Sequence, residues 1–489
     1  MSQFTASLAC AVHEWERSRP QRLATPAPSP FVLQLRSPVD RLPPELLTTV
    51  FVLTIEPRHH DTPGLTTSPT TLSHVCRRWR AVALGLGSLW TSVAIAYPSD
   101  PSGAQFTRLL TYLSRTKGYK IDLMLDVRDP EWDFELPEEE HPFTTRDMQA
   151  LLVLLQSTRT AHRWRSVELL TDTWAPIDVF LRATRSSAGT FAQSMERLVL
   201  ARCNAYFARN GAIFEPAALK HPLPLLGFGV TSSLPPADGP PLPLSRLRHV
   251  SLVGVHVDWS IADFALGPAL THLALKFHAS DVRPSPAEFS HILSACLCLE
   301  TLAIVGSGPS FSPGFVPTSV PPIVLSSVTT FTLGFVDGQD ATQLLALLRI
   351  PNLAKLELED VAAGLNLMDI AEVGMDENLL PLTLPLRVMQ EDDDLSARTV
   401  LAWLAESGTL PLGKLTSLSL SSFHIAAMNP ALHAFLRECR SVGEVSVAGT
   451  RRIAGILTGN DILALRREPT WLLLRLMTVS SRGRVLAPL

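Results

Sequence analysis

The chain has 489 residues, enough for several domains or one long repeat array, and 46% of them are hydrophobic, which suits a large buried core. Its 42 lysines and arginines and 46 aspartates and glutamates leave a formal charge of −4, which excludes the strong positive field of a dedicated nucleic-acid-binding protein. Residues 1–38 are expected to form a loosely ordered lead-in, with Thr25–Pro30 as its most linker-like part.

A first helix is predicted to begin within Leu42–Glu45. The two prolines of this segment suit the first turn of a helix, where a missing N–H is harmless. Glu45 places a negative charge beside the positive end of the helix dipole. Pro57 forbids continuation of the helix. The residues that follow Glu45 form a broad apolar face at spacings of three and four: Leu46, Leu47, Val50, Phe51 and Val52.

A second helix of about four turns is predicted over Leu72–Leu86. Arg77, Arg78 and Arg80 fall outside its apolar face. The residues of that face recur at steps of 3, 4, 3 and 4: Leu72, Val75, Trp79, Val82 and Leu86. The plain alternative for both helices is that their apolar faces only cover a core.

The order of these elements resembles the F-box, a small helical module that joins a protein to a ubiquitin ligase. The family pattern is leucine-proline, an acidic residue, paired leucines, an aromatic or aliphatic residue, then Val-Cys-Arg-Arg-Trp and a final Leu-Trp. This chain matches each element in sequence: Leu42-Pro43, Glu45, Leu46-Leu47, Phe51, Val75–Trp79 and Leu89-Trp90. We assign the resembling region to residues 39–96.

The resemblance implies docking on a Skp-type adaptor, which in turn binds a cullin. A helical module of this size cannot bury all of its large apolar side chains, and a partner helix takes the remainder. The implied adaptor-binding residues are Leu42, Pro43, Leu46, Leu47, Val50, Phe51, Val75, Cys76 and Trp79. One departure from the family is an insertion of about ten residues within 56–70, with three prolines, which puts the short middle helix of the module in question.

Residues 97–163 are predicted to be a connector. The acidic stretch Glu131–His141 within it is expected to be an exposed loop, and the alternative is a surface that attracts a basic partner.

From residue 164 onward, an LxxLxL pattern recurs along the chain. Successive frames are 31, 52, 23, 29, 29, 25, 62 and 27 residues apart, and most steps lie near the 20–29 typical of leucine-rich repeats. Pro381–Met389 would be a degenerate strand inside the longest step, and His221–Leu244 a loop that interrupts the array. The frames begin at Trp164, Met195, Leu247, Leu270, Leu299, Val328, Leu353, Leu415 and Val442.

Segments with helical spacing separate these frames. A short strand followed by a return helix, repeated, predicts an α/β solenoid over residues 164–489. The expected fold class is therefore α/β: a small all-α F-box module followed by a leucine-rich-repeat-like solenoid. A doubly wound α/β domain is the alternative, but its strands are usually continuous aliphatic runs. The predicted return helices are Glu288–Cys298, Ala341–Leu348, Ala397–Leu404 and Leu432–Cys439.

Alternation along each strand places the third and fifth pattern positions on the concave face of such a solenoid. Small and neutral polar residues dominate there, which favours a broad protein-binding surface over a specific ligand site. His249 and His272 would be neighbours if their strands are adjacent, as a pH-sensitive or ligand-binding pair. The candidate target-binding residues are Arg197, His249, His272, Thr301, Thr330, Lys355, Glu357, Ser417 and Glu444.

Catalytic and cofactor motifs are absent from the sequence: it has no P-loop, dinucleotide-binding glycine loop, GxSxG, HExxH or kinase signature. The six scattered cysteines include no CxxC, so we expect reduced thiols, no metal site and a cytoplasmic or nuclear protein. The leading hypothesis is a non-catalytic substrate receptor of a ubiquitin ligase, with no cofactor, nucleic acid or membrane as partner. The alternatives are a repeat scaffold not linked to degradation and an unrecognised hydrolase in the α/β body.

Overall fold

The computed structural model describes residues 38–55, 69–97, 103–133, 136–186, 194–203, 213–225, 246–264, 266–317, 320–362, 393–423, 429–448, 477–481 and 484–485. Four predicted features lie wholly or mainly outside those residues: the linker, the insertion, the interrupting loop and the degenerate strand, at Thr25–Pro30, 56–70, His221–Leu244 and Pro381–Met389. By its internal contacts, the chain divides into two compact units, Met1–Val199 and Leu200–Leu489.

The first unit opens with three α-helices, and proline begins two of them. Helix α1 spans Pro44–Ile55, ending before Pro57 as predicted. Helix α2 spans Pro69–Val75, and helix α3 spans Arg77–Gly85. A short 3-10 helix, Gly87–Trp90, follows them.

The prediction of a single four-turn helix over Leu72–Leu86 is wrong, because the helical backbone is interrupted at Cys76. This residue is extended, with φ −155° and ψ 170°, and its thiol accepts a hydrogen bond from the Trp79 N–H at 3.4 Å. Cys76 therefore caps α3 instead of continuing α2. The structure thus has a short middle helix in this region, which the insertion had put in question.

Strands and helices alternate through the rest of the first unit. Its three strands pair in parallel in chain order, and alternate residues of each strand are buried. The strands are β1 (Ser92–Ala96), β2 (Ile121–Asp126) and β3 (Trp164–Thr171). The helices that follow them are α4 (Ala104–Arg115), α5 (Thr145–Ser157) and α6 (Ala175–Ser186). The residues predicted to be a connector thus contain α4, β2 and α5.

Mixed α/β structure is confirmed, but the opening helices do not form a separate all-α module. They belong to the same compact unit as β1–β3, and residues 87–90 lead directly into β1. Trp90 is fully buried and meets Tyr112 of α4 edge-on, with ring centroids 4.9 Å apart. At Gly87, a Cβ would lie 2.9 Å from the Thr116 carbonyl oxygen, so this turn is packed tightly against the residues after α4. The helices therefore share their core with the strands.

The acidic stretch Glu131–His141 is not simply an exposed loop. His141 is buried, its Nε2 lies 3.3 Å from Asp172 Oδ2, and its Nδ1 accepts from the Phe143 N–H at 3.1 Å. Glu138 accepts a hydrogen bond from the Trp174 N–H at 2.8 Å. These contacts fix the end of the stretch to the loop that follows β3.

The second unit contains a sheet whose strands follow one another in chain order. Strand β4 (Arg197–Arg202) spans the division between the units. The strands of the parallel ladder are β5 (His249–Val253), β6 (His272–Lys276), β7 (Thr301–Val305), β9 (Thr330–Phe335), β11 (Lys355–Asp360), β12 (Ser417–Ser421), β13 (Glu444–Ala448) and β14 (Met477–Ser481). Strand β15 (Arg484–Val485) is antiparallel to β14, and β8 (Ile323–Val324) pairs with β10 (Leu348–Arg349).

Four helices lie between these strands near the predicted positions: α7 (Pro286–Ala295), α8 (Gly338–Leu347), α9 (Asp393–Ser407) and α10 (Pro430–Glu438). Local sequence explains where they begin. Ser285 and Glu288 form a capping box at α7, Asp337 caps α8, and Asn429 caps α10. One face of the sheet is the core, with each of the following side chains at most 2% exposed: Val250, Leu252, Leu273, Leu275, Leu302, Ile304, Phe331, Leu333, Leu356, Leu358, Leu418 and Leu420.

Candidate functional site

Helix α1 presents an apolar face to solvent. Leu46, Val50 and Leu53 are 53%, 46% and 65% exposed, and their spacing of four and three residues aligns them along one side of the helix. On the opposite side, Leu47 and Phe51 are almost fully buried. A surface helix usually has one apolar side, which faces the core, whereas α1 has an apolar outer side as well as an apolar inner side.

Two threonines on α1 use their hydroxyl groups within the helix. Thr49 Oγ1 donates to the Glu45 carbonyl oxygen at 3.2 Å, and Thr54 Oγ1 donates to the Val50 carbonyl oxygen at 2.6 Å. Because both hydroxyl protons are already donated to backbone carbonyl oxygens, these groups form fewer hydrogen bonds with water. The outer side of α1 is therefore more apolar than its sequence alone indicates.

The nine predicted adaptor-binding residues fall into three groups by exposure. Pro43, Leu46, Val50 and Val75 are exposed, so they are available to a partner. Leu47 and Phe51 are buried and support the helices from inside. The remaining three are half-buried: Leu42, Cys76 and Trp79.

The half-buried residues tie the start of α1 to α3. The Arg78 guanidinium donates to the Leu42 carbonyl oxygen. The Trp79 ring packs on Phe51, with centroids 4.9 Å apart. Sequence reasoning missed Leu53, although its place seven residues after Leu46 is the signal that would have found it.

In the second unit, seven of the predicted target-binding residues form one row across the sheet. Each pairs directly with the next: His249, His272, Thr301, Thr330, Lys355, Ser417 and Glu444. Glu357 lies in the adjacent row, between Thr332 and Ser419. Arg197 lies on β4, where its guanidinium is 3.6 Å from the Glu168 carboxylate. All the residues of the main row are half-buried or exposed.

His249 and His272 are neighbours, as their strands are adjacent. Their rings stack with centroids 5.4 Å apart and planes inclined by 29°. The Thr271 hydroxyl donates to the Arg248 carbonyl oxygen at 2.9 Å and lies 2.8 Å from His272 Nδ1. Since the hydroxyl proton is already used, His272 Nδ1 must be the donor in the second contact.

Charged side chains first occur in the row at β11. Lys355 and Glu357 are exposed there, and the Glu357 carboxylate accepts from the Thr332 hydroxyl at 2.9 Å. Burial raises the pKa of Glu359, and Lys276 acts in the opposite direction. Lys276 and Glu359 were not predicted as site residues, although each directly follows the LxxLxL pattern of its strand, two residues after the fifth position.

Two buried histidines elsewhere contact polar groups of neighbouring residues. His278 is fully buried, its Nδ1 lies 2.8 Å from Ser307 Oγ, and burial lowers its pKa to about 3. The His141–Asp172 pair resembles the base of a hydrolase, but His141 Nδ1 is occupied by a backbone N–H and Nε2 by the carboxylate. This leaves no ring nitrogen to activate a nucleophile.

From the sequence, Cys296 and Cys298 are both expected to fill the core. Cys296 is buried, but Cys298 is exposed, so the prediction is wrong for Cys298. Within the described ranges, no group of three or more histidine, cysteine or acidic residues is arranged to hold a metal ion. No helix in the described part of the chain is both long and apolar enough to cross a membrane. Comparison with known proteins finds neither a matching family model nor a significantly similar curated protein.

Proposed function

We propose that this chain is the substrate-recognition subunit of a Skp-adaptor/cullin/F-box type E3 ubiquitin ligase. In this proposal, α1 and the adjacent helices dock on the adaptor, and the sheet of the second unit holds a target protein. The single observation that carries the proposal is the outer side of α1, with Leu46, Val50 and Leu53 exposed in a line.

Exposed apolar residues are ordinary when scattered, but an aligned set is typical of a protein-binding surface. The exposed side of α1 has the anchor spacing of a helix that lies in a partner's apolar groove. Burial of each such side chain would contribute about 1.5–3 kcal/mol. Val75, at the end of α2, is 57% exposed and adds a fourth apolar contact from the same opening helices. Together with the order of F-box motif residues, this face favours a Skp-type adaptor as the partner.

The second unit supports a role in binding a polypeptide target. Its strands follow in chain order with parallel pairing and with helices between several of them, as expected of a leucine-rich-repeat-like solenoid. The row from His249 to Glu444 offers a stacked imidazole pair, two threonine hydroxyls, and then Lys355 and Glu444 with Ser417 between them. Such a varied row suits an extended surface with several partial contacts better than one small-molecule pocket.

No residue of the chain is assigned a chemical step. Transfer of ubiquitin would follow from proximity, since the receptor holds a target lysine near a conjugating enzyme that other subunits carry. Because a receptor must be in the same compartment as the rest of its ligase, we propose that the protein is located in the cytoplasm or nucleus.

The alternative is a repeat scaffold that binds partners without promoting their degradation. Two variants of the full chain separate the possibilities: Leu46→Ser/Val50→Ser/Leu53→Ser on α1 and His249→Ala/His272→Ala/Lys355→Glu on the sheet. Val153→Ser is the matched control, because Val153 is a 65% exposed valine on α5, which is part of neither α1 nor the sheet row.

Proteins captured with each variant in cells are identified by mass spectrometry, and their half-lives are measured with and without a cullin inhibitor. We expect the α1 variant to lose the adaptor, keep a target and lengthen that target's half-life. The sheet variant should keep the adaptor and lose the target. A target whose half-life is the same with the wild type, the α1 variant and the inhibitor would favour the scaffold.

A further inference from the structure

A cleft of about 410 Å³ lies in the first unit among α2, α3 and α4. Its lining is basic and rich in hydroxyl groups, and it includes no carboxylate from the residues that the structure describes. The cationic members are Arg80 of α3 and Arg108 and Arg115 of α4, and His74 of α2 also lines the cleft. The cleft is thus a local concentration of positive charge in a chain whose net charge is −4.

The three arginines differ from the ion-paired arginines of this protein. Arg128, Arg165 and Arg182 each lie against an aspartate. Within the described residues, by contrast, no carboxylate lies within ion-pair distance of Arg80, Arg108 or Arg115. These arginines place three positive charges on the lining of one cleft, and an anionic ligand would complement those charges.

One wall of the cleft is held in place by aromatic contacts. The Arg115 guanidinium lies over the Trp90 ring, 4.3 Å from its centroid. Trp90 is itself fixed, since its indole N–H donates to the Ala83 carbonyl oxygen at 2.9 Å. Tyr112 meets the same ring edge-on, and its hydroxyl lies 2.9 Å from Thr70 Oγ1. Arg115 is therefore preorganised, which lowers the entropic cost of binding.

Partial burial of the charged Arg115 guanidinium is unfavourable, and an anionic ligand would offset that loss of hydration. Burial lowers the pKa of the Arg115 guanidinium from its ordinary value, because its charge is partly removed from water. The planar guanidinium fork matches a carboxylate or a phosphate in two parallel hydrogen bonds. Polar hydroxyls from Thr70, Ser73 and Thr107 also line the cleft beside the arginines.

We propose that this cleft binds an acidic segment of a partner polypeptide, with Arg80, Arg108 and Arg115 as the contacts to its anionic side chains. A cleft of this volume holds a few side chains, not a nucleic-acid duplex, and the chain lacks the overall positive charge that nucleic-acid binding favours. Glutamate and phosphoserine side chains share the required chemistry. The site does not depend on the apolar side of α1, so it stands or fails independently of adaptor docking.

The test is fluorescence anisotropy with the full chain at low salt. The probes are a fluorescein-labelled hexaglutamate peptide, the same peptide with a central phosphoserine, a hexaglutamine peptide and a labelled ten-residue thymidine oligonucleotide. The variants are Arg80→Gln and Arg108→Gln, and both arginines are exposed enough to be replaced without loss of the core. Arg77→Gln is the matched control, because it removes the same charge from α3 at an exposed position outside the cleft lining.

We expect both acidic peptides to bind and hexaglutamine to fail. Loss of one charge-assisted contact should weaken binding about tenfold in Arg80→Gln and in Arg108→Gln, with Arg77→Gln close to the wild type. Tighter binding of the phosphoserine peptide would identify phosphate as the preferred anion, and equal binding would identify carboxylate as sufficient. The proposal is overturned if neither acidic peptide binds, if Arg77→Gln weakens binding as much as Arg80→Gln, or if the oligonucleotide binds more tightly than the peptides.

Discussion

Phe51 and Trp79 join two helices of the first unit through a direct ring contact, with centroids 4.9 Å apart and planes inclined by 59°. Phe51 is fully buried on α1, while Trp79 of α3 is half-buried. Both residues belong to the motif that resembles an F-box, yet this contact makes them part of the protein's own core. Residues of this motif therefore lie in two environments, some buried inside the first unit and others exposed on its surface.

Replacement of Phe51 by alanine should destabilise the first unit by about 3–5 kcal/mol, because it removes a fully buried ring and leaves a cavity. Urea denaturation followed by circular dichroism would measure the loss. Leu53→Ala on the outer side of the same helix is the control, and it should change the free energy of unfolding by less than about 0.5 kcal/mol. Equal losses in the two variants would contradict the assignment of inner and outer sides.

Acidification should destabilise the second unit through His278. Burial holds its folded-state pKa at about 3, well below the value of about 6.5 expected when unfolded, so the unfolded state binds a proton first. The stabilising contribution is complete above pH 6.5 and is lost as the pH falls toward 3. At pH 5 the loss from this group should be about 2 kcal/mol.

Urea denaturation of the full chain at pH 7 and pH 5 measures this difference. His278→Gln should lessen the pH dependence, even if it also lowers stability at pH 7. His221→Gln, which alters an exposed histidine, should leave the pH dependence unchanged. A wild-type-like pH dependence in His278→Gln would mean that another group is responsible.

The cysteines should differ sharply in reactivity. Burial raises the pKa of both the Cys296 and Cys439 thiols to about 12, so almost no thiolate forms at pH 8. Cys298 is exposed and should react with iodoacetamide in the folded protein. Peptide mass spectrometry before and after addition of urea would show Cys296 and Cys439 labelled only on unfolding. Rapid labelling of Cys296 in the native protein would show that the end of α7 opens.

Gly334 lies on β9 where no side chain fits. A Cβ there would be 2.6 Å from Val305 Cγ1 and 3.0 Å from Val361 Cγ2. Gly334→Ala should therefore destabilise the second unit by about 1–3 kcal/mol. Gly267→Ala is the control, since a Cβ at Gly267 meets no atom within 4 Å. Thermal unfolding of both variants tests this, and a stabilised Gly334→Ala would mean that the two valines move apart easily.

Much of the sheet was predictable because its signal is repeated. The buried leucines and valines of LxxLxL alternate with polar residues, and only one strand register buries them all. That register brings His249 beside His272 and Lys355 beside Thr330 and Ser417. Sequence alone also located the return helices, because their apolar residues recur at helical spacing.

The rest depended on contacts between residues far apart in sequence. The break at Cys76 follows from one thiol accepting a backbone hydrogen bond, whereas the apolar spacing continues through it without change. The basic cleft brings Arg80 of α3 near Arg108 and Arg115 of α4, and no local pattern indicates that approach. Burial of His141 against Asp172 likewise required the loop after β3.

The most direct test of the central claim is calorimetric titration of a purified Skp-type adaptor into the full chain. We predict a one-to-one complex for the wild type and for Val153→Ser. Affinity should fall by about 100-fold or more in Leu46→Ser/Val50→Ser/Leu53→Ser, with circular dichroism showing that the variant remains folded. No complex with the wild type, or equal affinity in the folded triple variant, would contradict docking through the outer side of α1.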